Sequence, residues 1–591
     1  MIRLCTLRSL TQNYFLLIYL FILFTPSTVI HAQTSGTGIP SNANQEYLRQ
    51  QERERVLRQQ QETSIDVRLP QATTENDTQR IPSQETPCFR ISSIVLNGEA
   101  SEKFGWALKS VDQMNDQTSD PALPRCLGAQ GINIVMKRIQ NAIIQRGYIT
   151  TRVLATAQDL NNGTLTLTVI PGRIHSIRFA EGTDPRATQW NAIPIAAGDL
   201  LNLRDIEQAL ENFKRVPTAD ADIQIAPASD QQAPPGASDL VIQWKQKLPF
   251  RLTLSADDAG TKATGRYQGN LTLSYDHAFV LNDLFYLSLN HDLGGGDPGN
   301  RGTQGRTLHY SIPYGYWLLS YNNSQNEYHQ TVIGLNQNYL YRGKSQTSDL
   351  KLARLVYRDA VRKTTLSLRG WMRSSNNYID DTEVEIQRRR MAGWEAGANH
   401  REYLGSNTLD LNLGYRRGTG AMQSLPAPEE SFGEGTARPT IITTDNQLTI
   451  PFTVGQQRFR YLNNWRAQWN RTPLVPQDRF ALGSRYTIRG FDGESILSAE
   501  RGWLIRNDIG WALGNSGQEL YLGLDHGEVG GASSQNLIGR RLTGSAIGLR
   551  GSLNAGVSAL SYDIFVGTPV KKPDGFKTSG SMAGFNLNWT F

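Results

Sequence analysis

The chain has 591 residues, too many for one core, so its length points to two to four domains. Apolar residues make up 39% and mean hydropathy is -0.43, averages shared by water-soluble proteins and by transmembrane β-barrels, whose lipid-facing and lumen-facing residues alternate. A net charge of +6 is mild for this length, and with no dense basic tract interleaved with aromatics it gives nucleic-acid binding little support.

At the N-terminus, Arg3 and Arg8 precede the apolar run Tyr14 to Phe24; Pro26 and small residues then lead to Ile30-His31-Ala32. This is the pattern of a secretory signal peptide cleaved near Ala32, with an uncleaved anchor helix as the rival. No other stretch approaches 18 apolar residues, which excludes a second hydrophobic span of helical type. The mature chain is expected to be exported.

Residues 33 to 86 are rich in Gln, Ser, Thr, Asn and Glu. Within them SNANQEYLRQQERERVLRQQQET carries strong helix formers and the spaced pairs Glu54 with Arg58 and Glu52 with Arg55. Its apolar residues are only Tyr47, Leu48, Val56 and Leu57, too few for an ordinary core. About 20 residues at about 1.5 Å each span roughly 30 Å, so such a helix suits a water-lined barrel. A solvated, disordered leader is the alternative.

Cys5 falls in the leader, which leaves Cys88 and Cys126 in the mature chain. Two thiols in an exported protein are read as one disulfide, worth about 4 kcal/mol at most for a loop of roughly 40 residues. A zinc pair is the rival, but no His-x-x-His or second Cys pair accompanies them.

Two compact α+β units follow, expected over residues 87–172 and 173–248. The first has strand-like FRISSIVLNG, then a helix with Val135, Ile139, Ala142, Ile143 and Arg146 at helical spacing, stopped at Gly147. Alternating segments Tyr148 to Ala155 and Thr164 to Val169 come next, turned at Asn161-Asn162-Gly163. The second unit repeats this order: Ile174 to Phe179, a helix over LNLRDIEQALENFKR, then strands near Ala221 to Ile225 and Leu240 to Trp244. Neither unit clusters His, Cys or carboxylates.

From residue 249 onward helical periodicity disappears. Leu252, Leu254 and Ala256 alternate with Thr253, Ser255 and Asp257; Leu271, Leu273 and Tyr275 alternate with Thr272, Ser274 and Asp276; and the pattern returns at Phe285, Leu409, Leu520 and Leu560. Small polar residues on one face, apolar ones on the other and aromatics near strand ends predict a barrel with a wet lumen rather than a soluble sandwich. At about 21 residues per strand and connection, residues 249–591 give about 16 antiparallel strands, an even number that closes without an exposed edge. The last strand, GFNLNWTF, puts Phe585, Leu587, Trp589 and Phe591 on one face, and its aromatic terminus resembles the recognition signal of outer-membrane barrels.

Several stretches, in order, give the chain a family likeness. PCFRISSIVLNG, CLGAQGINIVMKRIQNAIIQRGYITTRV, LLNLRDIEQALENFKRVP, RLTLSADDAGTKATGRYQG and YSIPYGYWLLSYNNSQNEYHQTVIG closely resemble the TpsB transporters of two-partner secretion, the haemolysin-activator and filamentous-haemagglutinin-transporter family. The resemblance covers nearly all of the mature chain. It implies two periplasmic polypeptide-transport-associated (POTRA) domains, a 16-stranded outer-membrane β-barrel and an N-terminal plug helix. It also implies that YTIRGFDGE is the sixth extracellular loop folded back into the lumen, with its tip at Ile488-Arg489-Gly490-Phe491. The usual partner of that arginine is the aspartate of a Gly-x-Asp-x-Gly strand, here Asp525 in Gly523-Leu524-Asp525-His526-Gly527. Period-2 reading reaches the same place, since outward Leu520, Leu522 and Leu524 turn Asp525 inward. A bare guanidinium in a partly dehydrated lumen is costly, and a bidentate carboxylate satisfies both groups.

Other motifs carry less. Arg342-Gly343-Lys344-Ser345 lacks the earlier glycine of a phosphate loop, the eight histidines form no metal or triad spacing, and Asp257-Asp258 and Asp380-Asp381 read as solvated turns or lumen charges. The expectation is therefore no enzyme, no cofactor and no metal. The resemblance implies export of one large unfolded TpsA-type passenger (an adhesin, haemolysin or contact-dependent toxin) captured by the POTRA domains. Outer-membrane lipid and, during biogenesis, the barrel-assembly machinery are the other expected partners, and nucleic acid is not. A barrel-assembly factor and a diffusion porin are the rival classes.

Overall fold

A computed structural model describes residues 39–62, 65–70, 79–113, 119–230, 232–556 and 558–591. The expected signal peptide and Cys5 lie outside the described residues. A helix, α1, runs over Ile39–Gln61, starting before the expected SNANQ stretch. From Ala43 onward the chain is one compact unit.

In the first α+β unit, Phe89–Ile91 pairs with Arg125–Leu127, and the bridge Cys88–Cys126 lies beside this pairing, with Cα atoms 5.4 Å apart. A three-stranded sheet follows in the order Ser93–Asn97, Thr164–Ile170, Arg152–Ala155. Strict alternation in TLTLTVI sends Leu165, Leu167 and Val169 inward, under Val135, Ile139 and Ile143 of helix α2 (Ala129–Gln145). That helix stops where Gly147 takes φ +98°, a conformation that spares a side-chain-free residue the usual strain. Two contributions to this core were not legible in the sequence pattern. A 3-10 helix at Ser101–Ser110 supplies Phe104 and Ala107, and Ile81, upstream of the expected boundary at Pro87, is also buried there.

The second unit orders its strands Arg173–Phe179, Ala237–Gln246, Ala219–Pro227. Helix α3 (Leu203–Phe213) packs on them, its first turn capped by the Asn202 side chain accepting the Arg204 N–H. In this sheet Asp239 accepts hydrogen bonds from Ser176, His175 and Ser229, and the Ser176 hydroxyl foremost holds its carboxyl well below the usual range.

Sixteen long antiparallel strands then close a barrel, from the first at Phe250–Asp257 to the last at Met582–Thr590; a two-residue fragment at Thr382–Glu383 is accessory. The closing seam pairs Asn586–Thr590 with Thr253–Asp257 over five residues, the shortest ladder between the long strands. Side-chain alternation is visible in the thirteenth strand, Gln518–Gly530, where Leu522 and Leu524 are 62% and 52% exposed while Tyr521 and Asp525 are buried. The fifth to eighth strands, Trp317–Ile333, Asn338–Arg358, Arg362–Ile379 and Arg389–Leu404, are the longest, and above their apolar bands they carry outward polar pairs such as Glu327 with Lys344. Arg342-Gly343-Lys344-Ser345 lies within the sixth strand, where an extended backbone offers no phosphate cradle.

Candidate functional site

The connection between the eleventh strand, Gln457–Asn470, and the twelfth, Arg501–Ala512, does not stay outside the barrel. It forms a small hairpin, Phe480–Leu482 with Leu497–Ala499, whose core holds Ile488, Phe491 and Leu497 against Leu504, Val529 and Leu542 of the wall. Burial of these side chains supplies the driving force that keeps the loop in the lumen. Phe491 also meets Phe576 edge to face at 5.7 Å.

Arg489, 2% exposed, is the polar centre of this tip. Its Nε donates to Asp525 Oδ2 at 2.8 Å, its Nη2 to Asp525 Oδ1 at 2.6 Å, and its backbone N–H to Asp525 Oδ2 at 2.9 Å. Asp525 therefore receives both the fork of the guanidinium and the main chain, which fixes the position and the orientation of the tip. A second carboxylate, not anticipated from the sequence, completes the set: Asp508 on the twelfth strand also accepts from Nη2 and is held by Arg550 Nη1 at 2.9 Å. Arg550 in turn binds Glu519, and Glu519 binds Arg460, so charge alternates across four neighbouring strands with no isolated ion. Asp508 was readable in retrospect: Trp503, Ile505, Ile509 and Trp511 face outward on alternate positions, although Asn507 interrupts that ladder.

Glycines shape the slot that receives the tip. A Cβ on Gly523 would stand 2.5 Å from Arg489 Nη2, one on Gly567 would stand 2.8 Å from Gly490 N, and one on Gly544 would overlap the Arg489 carbonyl oxygen. Gly490 itself has φ +95° and faces the Thr568 backbone. The thirteenth to fifteenth strands thus present a side-chain-free strip along which the loop backbone lies. Nearby, Arg485 binds Asp258 and donates to the Phe585 carbonyl at 2.6 Å, while Asp258 accepts the Phe585 N–H at 3.0 Å, so Asp258 is a lumen charge at the closing seam.

Helix α1 fills the remaining lumen by polar contacts. Glu52 pairs with Arg466 at 2.7 Å, Arg55 with Asp445 at 3.1 Å and Arg58 with Asp349 at 3.1 Å, three contacts on three different strands. Ser324 donates to Glu54 at 2.6 Å and Ser345 to Gln50 at 3.2 Å. Arg49 donates to the Gly493 carbonyl, which ties the helix directly to the lumen loop. After the helix, residues 65–70 pass between α3 and the barrel. Glu211 accepts the Val67 N–H, Glu207 accepts the Leu69 N–H, and Arg358 binds Glu207, Glu211 and the Val67 carbonyl.

Among the described residues no group of three or more His, Cys, Asp or Glu is arranged to hold a metal ion. A closed barrel with two α+β units at one mouth, and a helix and a reinserted loop in its lumen, belongs to the class of outer-membrane transport barrels. A family model described as haemolysin secretion/activation protein ShlB/FhaC/HecB matches residues 236–551, and POTRA-domain models match 89–172 and 173–227. The chain belongs to that family. It is 37% identical to outer membrane transporter CdiB-2 of Burkholderia pseudomallei over 86% of this chain and 87% of that one. It is 27% identical to hemolysin transporter protein ShlB of Serratia marcescens over 76% of each. Its fold superposes on the structure of CdiB from Acinetobacter baumannii with TM-score 0.79 and 29% identity, covering 95% and 100% of the two chains. The protein is an outer-membrane transporter of the two-partner secretion type, with its POTRA domains in the periplasm.

Proposed function

We propose that this transporter captures one large TpsA-type exoprotein through its POTRA domains and passes it, unfolded, through the barrel lumen without a catalytic step. The observation that carries this reading is the nature of the lumen filling. Helix α1 is held by side-chain ion pairs and hydroxyl contacts, each of which water or a passing polypeptide can replace. A plug whose contacts are mostly polar, with Tyr47 buried and Leu57 packed on apolar neighbours as its few apolar contacts, leaves little apolar surface behind when it moves, so its displacement has a small hydrophobic cost.

Capture would use strand edges. In the first POTRA sheet Ser93–Asn97 and Arg152–Ala155 are the outer strands, and in the second Arg173–Phe179 and Ala219–Pro227. An extended passenger segment added there gains main-chain hydrogen bonds, with side-chain pockets selecting the partner. Arg489, Asp525 and Asp508 act in this reading as positioning residues that hold the loop against the wall while chain moves past. The exposed aromatic residues at the end of the barrel, Trp589 of the last strand and Phe591 just after it, serve recognition by the barrel-assembly machinery during biogenesis.

Deleting the gene and following a large exoprotein tests this function. The expected outcome is periplasmic accumulation of that one protein with other outer-membrane barrels at normal levels. A general loss of barrel assembly supports an insertion factor instead, and loss of small-solute uptake supports a porin.

A further inference from the structure

Trp190 is the largest apolar side chain that the second POTRA domain leaves exposed, at 60%, and it lies beside the barrel. Its ring sits 6.0 Å from that of Tyr314, itself 61% exposed. Tyr314 ends the outward ladder Leu308, Tyr310, Ile312 of the fourth strand, Gly302–Tyr314, whose other positions, Thr307, His309 and Ser311, face the lumen. The aromatic series continues round the same rim of the barrel, with Phe279 edge to face on Tyr310 at 5.7 Å and Phe250 stacked on Tyr275 at 4.4 Å. Arg354 lies over the Trp317 ring at 4.9 Å on the same outer face.

The backbone around Trp190 is fixed to the barrel. The neighbouring Asn191 is fully buried; its carbonyl accepts the Gly315 N–H at 2.8 Å, its Nδ2 donates to the Leu281 carbonyl, and its Oδ1 accepts from Asn282 at 2.9 Å. Asn212 of α3 donates to both the Ala192 and Gly315 carbonyls. Two periplasmic turns therefore hold this POTRA segment at the height of the aromatic rim.

We propose that Trp190 is a membrane-interface anchor by which the second POTRA domain engages phospholipid of the periplasmic leaflet. Tryptophan and tyrosine collect where headgroups meet acyl chains because one edge of each is apolar and the other forms hydrogen bonds. Trp190 extends the barrel's lipid-facing girdle onto a domain outside the barrel, and Arg354, over the Trp317 ring of that girdle, suits a lipid phosphate. The anchor fixes the domain's orientation at the pore mouth, so passenger bound there is presented at a constant angle.

The test uses the full chain with its native disulfide intact and one added thiol, Trp190→Cys, carrying an environment-sensitive fluorophore, reconstituted in phosphatidylethanolamine/phosphatidylglycerol nanodiscs. Lipid bearing a quencher near the headgroup should quench this label at least threefold more than the same label at Val95→Cys in the first POTRA domain. In nanodiscs without quencher the label should also be less open to aqueous iodide than the label at Val95. Lipid quenching no greater than at Val95 overturns the proposal, and so does shielding from iodide without lipid quenching, because a protein surface would then cover the site. An unlabelled control compares the native chain with Trp190→Phe: brominated lipid should quench the native chain's tryptophan emission by a larger fraction, and an equal fraction counts against the anchor.

Discussion

Arg489 is held by two carboxylates of unequal roles, and that inequality predicts unequal mutants. Asp525 accepts three hydrogen bonds from Arg489, one of them from its backbone, whereas Asp508 accepts one and shares itself with Arg550. Removing one member of a buried pair costs about 3–5 kcal/mol because the other is left charged and unpaired. Arg489→Ala and Asp525→Asn are therefore expected to abolish secretion while leaving an inserted, heat-modifiable barrel; Asp508→Asn should keep a reduced but measurable fraction. Immunoblots of passenger in medium and periplasm, with barrel mobility as the control, measure both. Equal secretion by the native chain and Arg489→Ala would remove the positioning role from the tip. The pair Arg489 and Asp525 was readable because a motif and strand parity pointed to the same place, while Asp508 has no motif and its strand's outward face is broken by Asn507. His277, in the turn after the second strand, gives a pH prediction. Its Nδ1 accepts the Asn282 N–H and its Nε2 lies 2.8 Å from the Arg186 carbonyl, which requires a neutral ring with the proton on Nε2. Burial foremost pushes its pKa down and the Arg186 charge adds to this, while the hydrogen bond to the Arg186 carbonyl and the charges of Asp283 and Asp184 oppose it. The folded value lies below the unfolded one, so this joint keeps its full stability above about pH 6.5 and weakens as pH falls below it. After correction for intrinsic exchange, the protection factors of amides in residues 184–192 should fall between pH 7.5 and 5.5, and should lose that dependence in His277→Gln.

At the level of elements, the plug helix and the segment 65–70 after it behave as one tether. Three ion pairs fix α1 to the sixth, tenth and eleventh strands, and each is partly hydrated, so each is worth about 1 kcal/mol. Glu52→Lys sets a third cation beside Arg466 and Arg55, and the expected result is an increase of about tenfold in the open fraction in planar-bilayer recordings, equivalent to about 1.4 kcal/mol. The swap Glu52→Arg with Arg466→Glu should return the channel to its closed baseline; an open fraction unchanged by the single reversal would mean that the pair does not hold the plug. The clamp below the lumen is stiffer, because Glu207 and Arg358 are nearly fully buried and the Leu69 N–H also ends on Glu207. Arg358→Ala leaves two buried carboxylates, Glu207 and Glu211, with fewer partners, and limited proteolysis within residues 65–70 should become several-fold faster. The helical character of α1 was visible in its composition, yet its start at Ile39 was not, since IPS offers no strong start signal. In the POTRA domains helix periodicity and strand alternation marked most elements correctly. The 3-10 segment Ser101–Ser110 escaped because a 3-10 turn lacks the 3.6-residue period that the reading relies on.

On the scale of the whole molecule, the loop, the plug and the second POTRA domain form a continuous line of contacts. Arg49 joins the helix to the loop at Gly493, residues 65–70 join the helix to α3, and α3 joins the barrel turns through Asn212 and Gly315. Such a line lets passenger binding at the periplasmic mouth bias the plug towards release, provided that the plug has two discrete positions. The architecture itself was legible at this scale because strand alternation persists over the whole C-terminal part, whereas the ties between parts depend on residues far apart in sequence and leave no local pattern. If helix displacement is obligatory, fixing the helix must stop export without changing any site that the passenger meets. Gln50 and Ser345 are in contact across the lumen, so Gln50→Cys with Ser345→Cys, bridged in cells by a short bis-maleimide, fastens the helix to the sixth strand. The bridged transporter should retain the exoprotein in the periplasm, while each single-cysteine variant treated with the same reagent should continue to secrete. Undiminished export by the bridged form would show that the chain leaves by a path that does not require the helix to move, and the polar packing around α1 would then serve stability of the closed barrel alone.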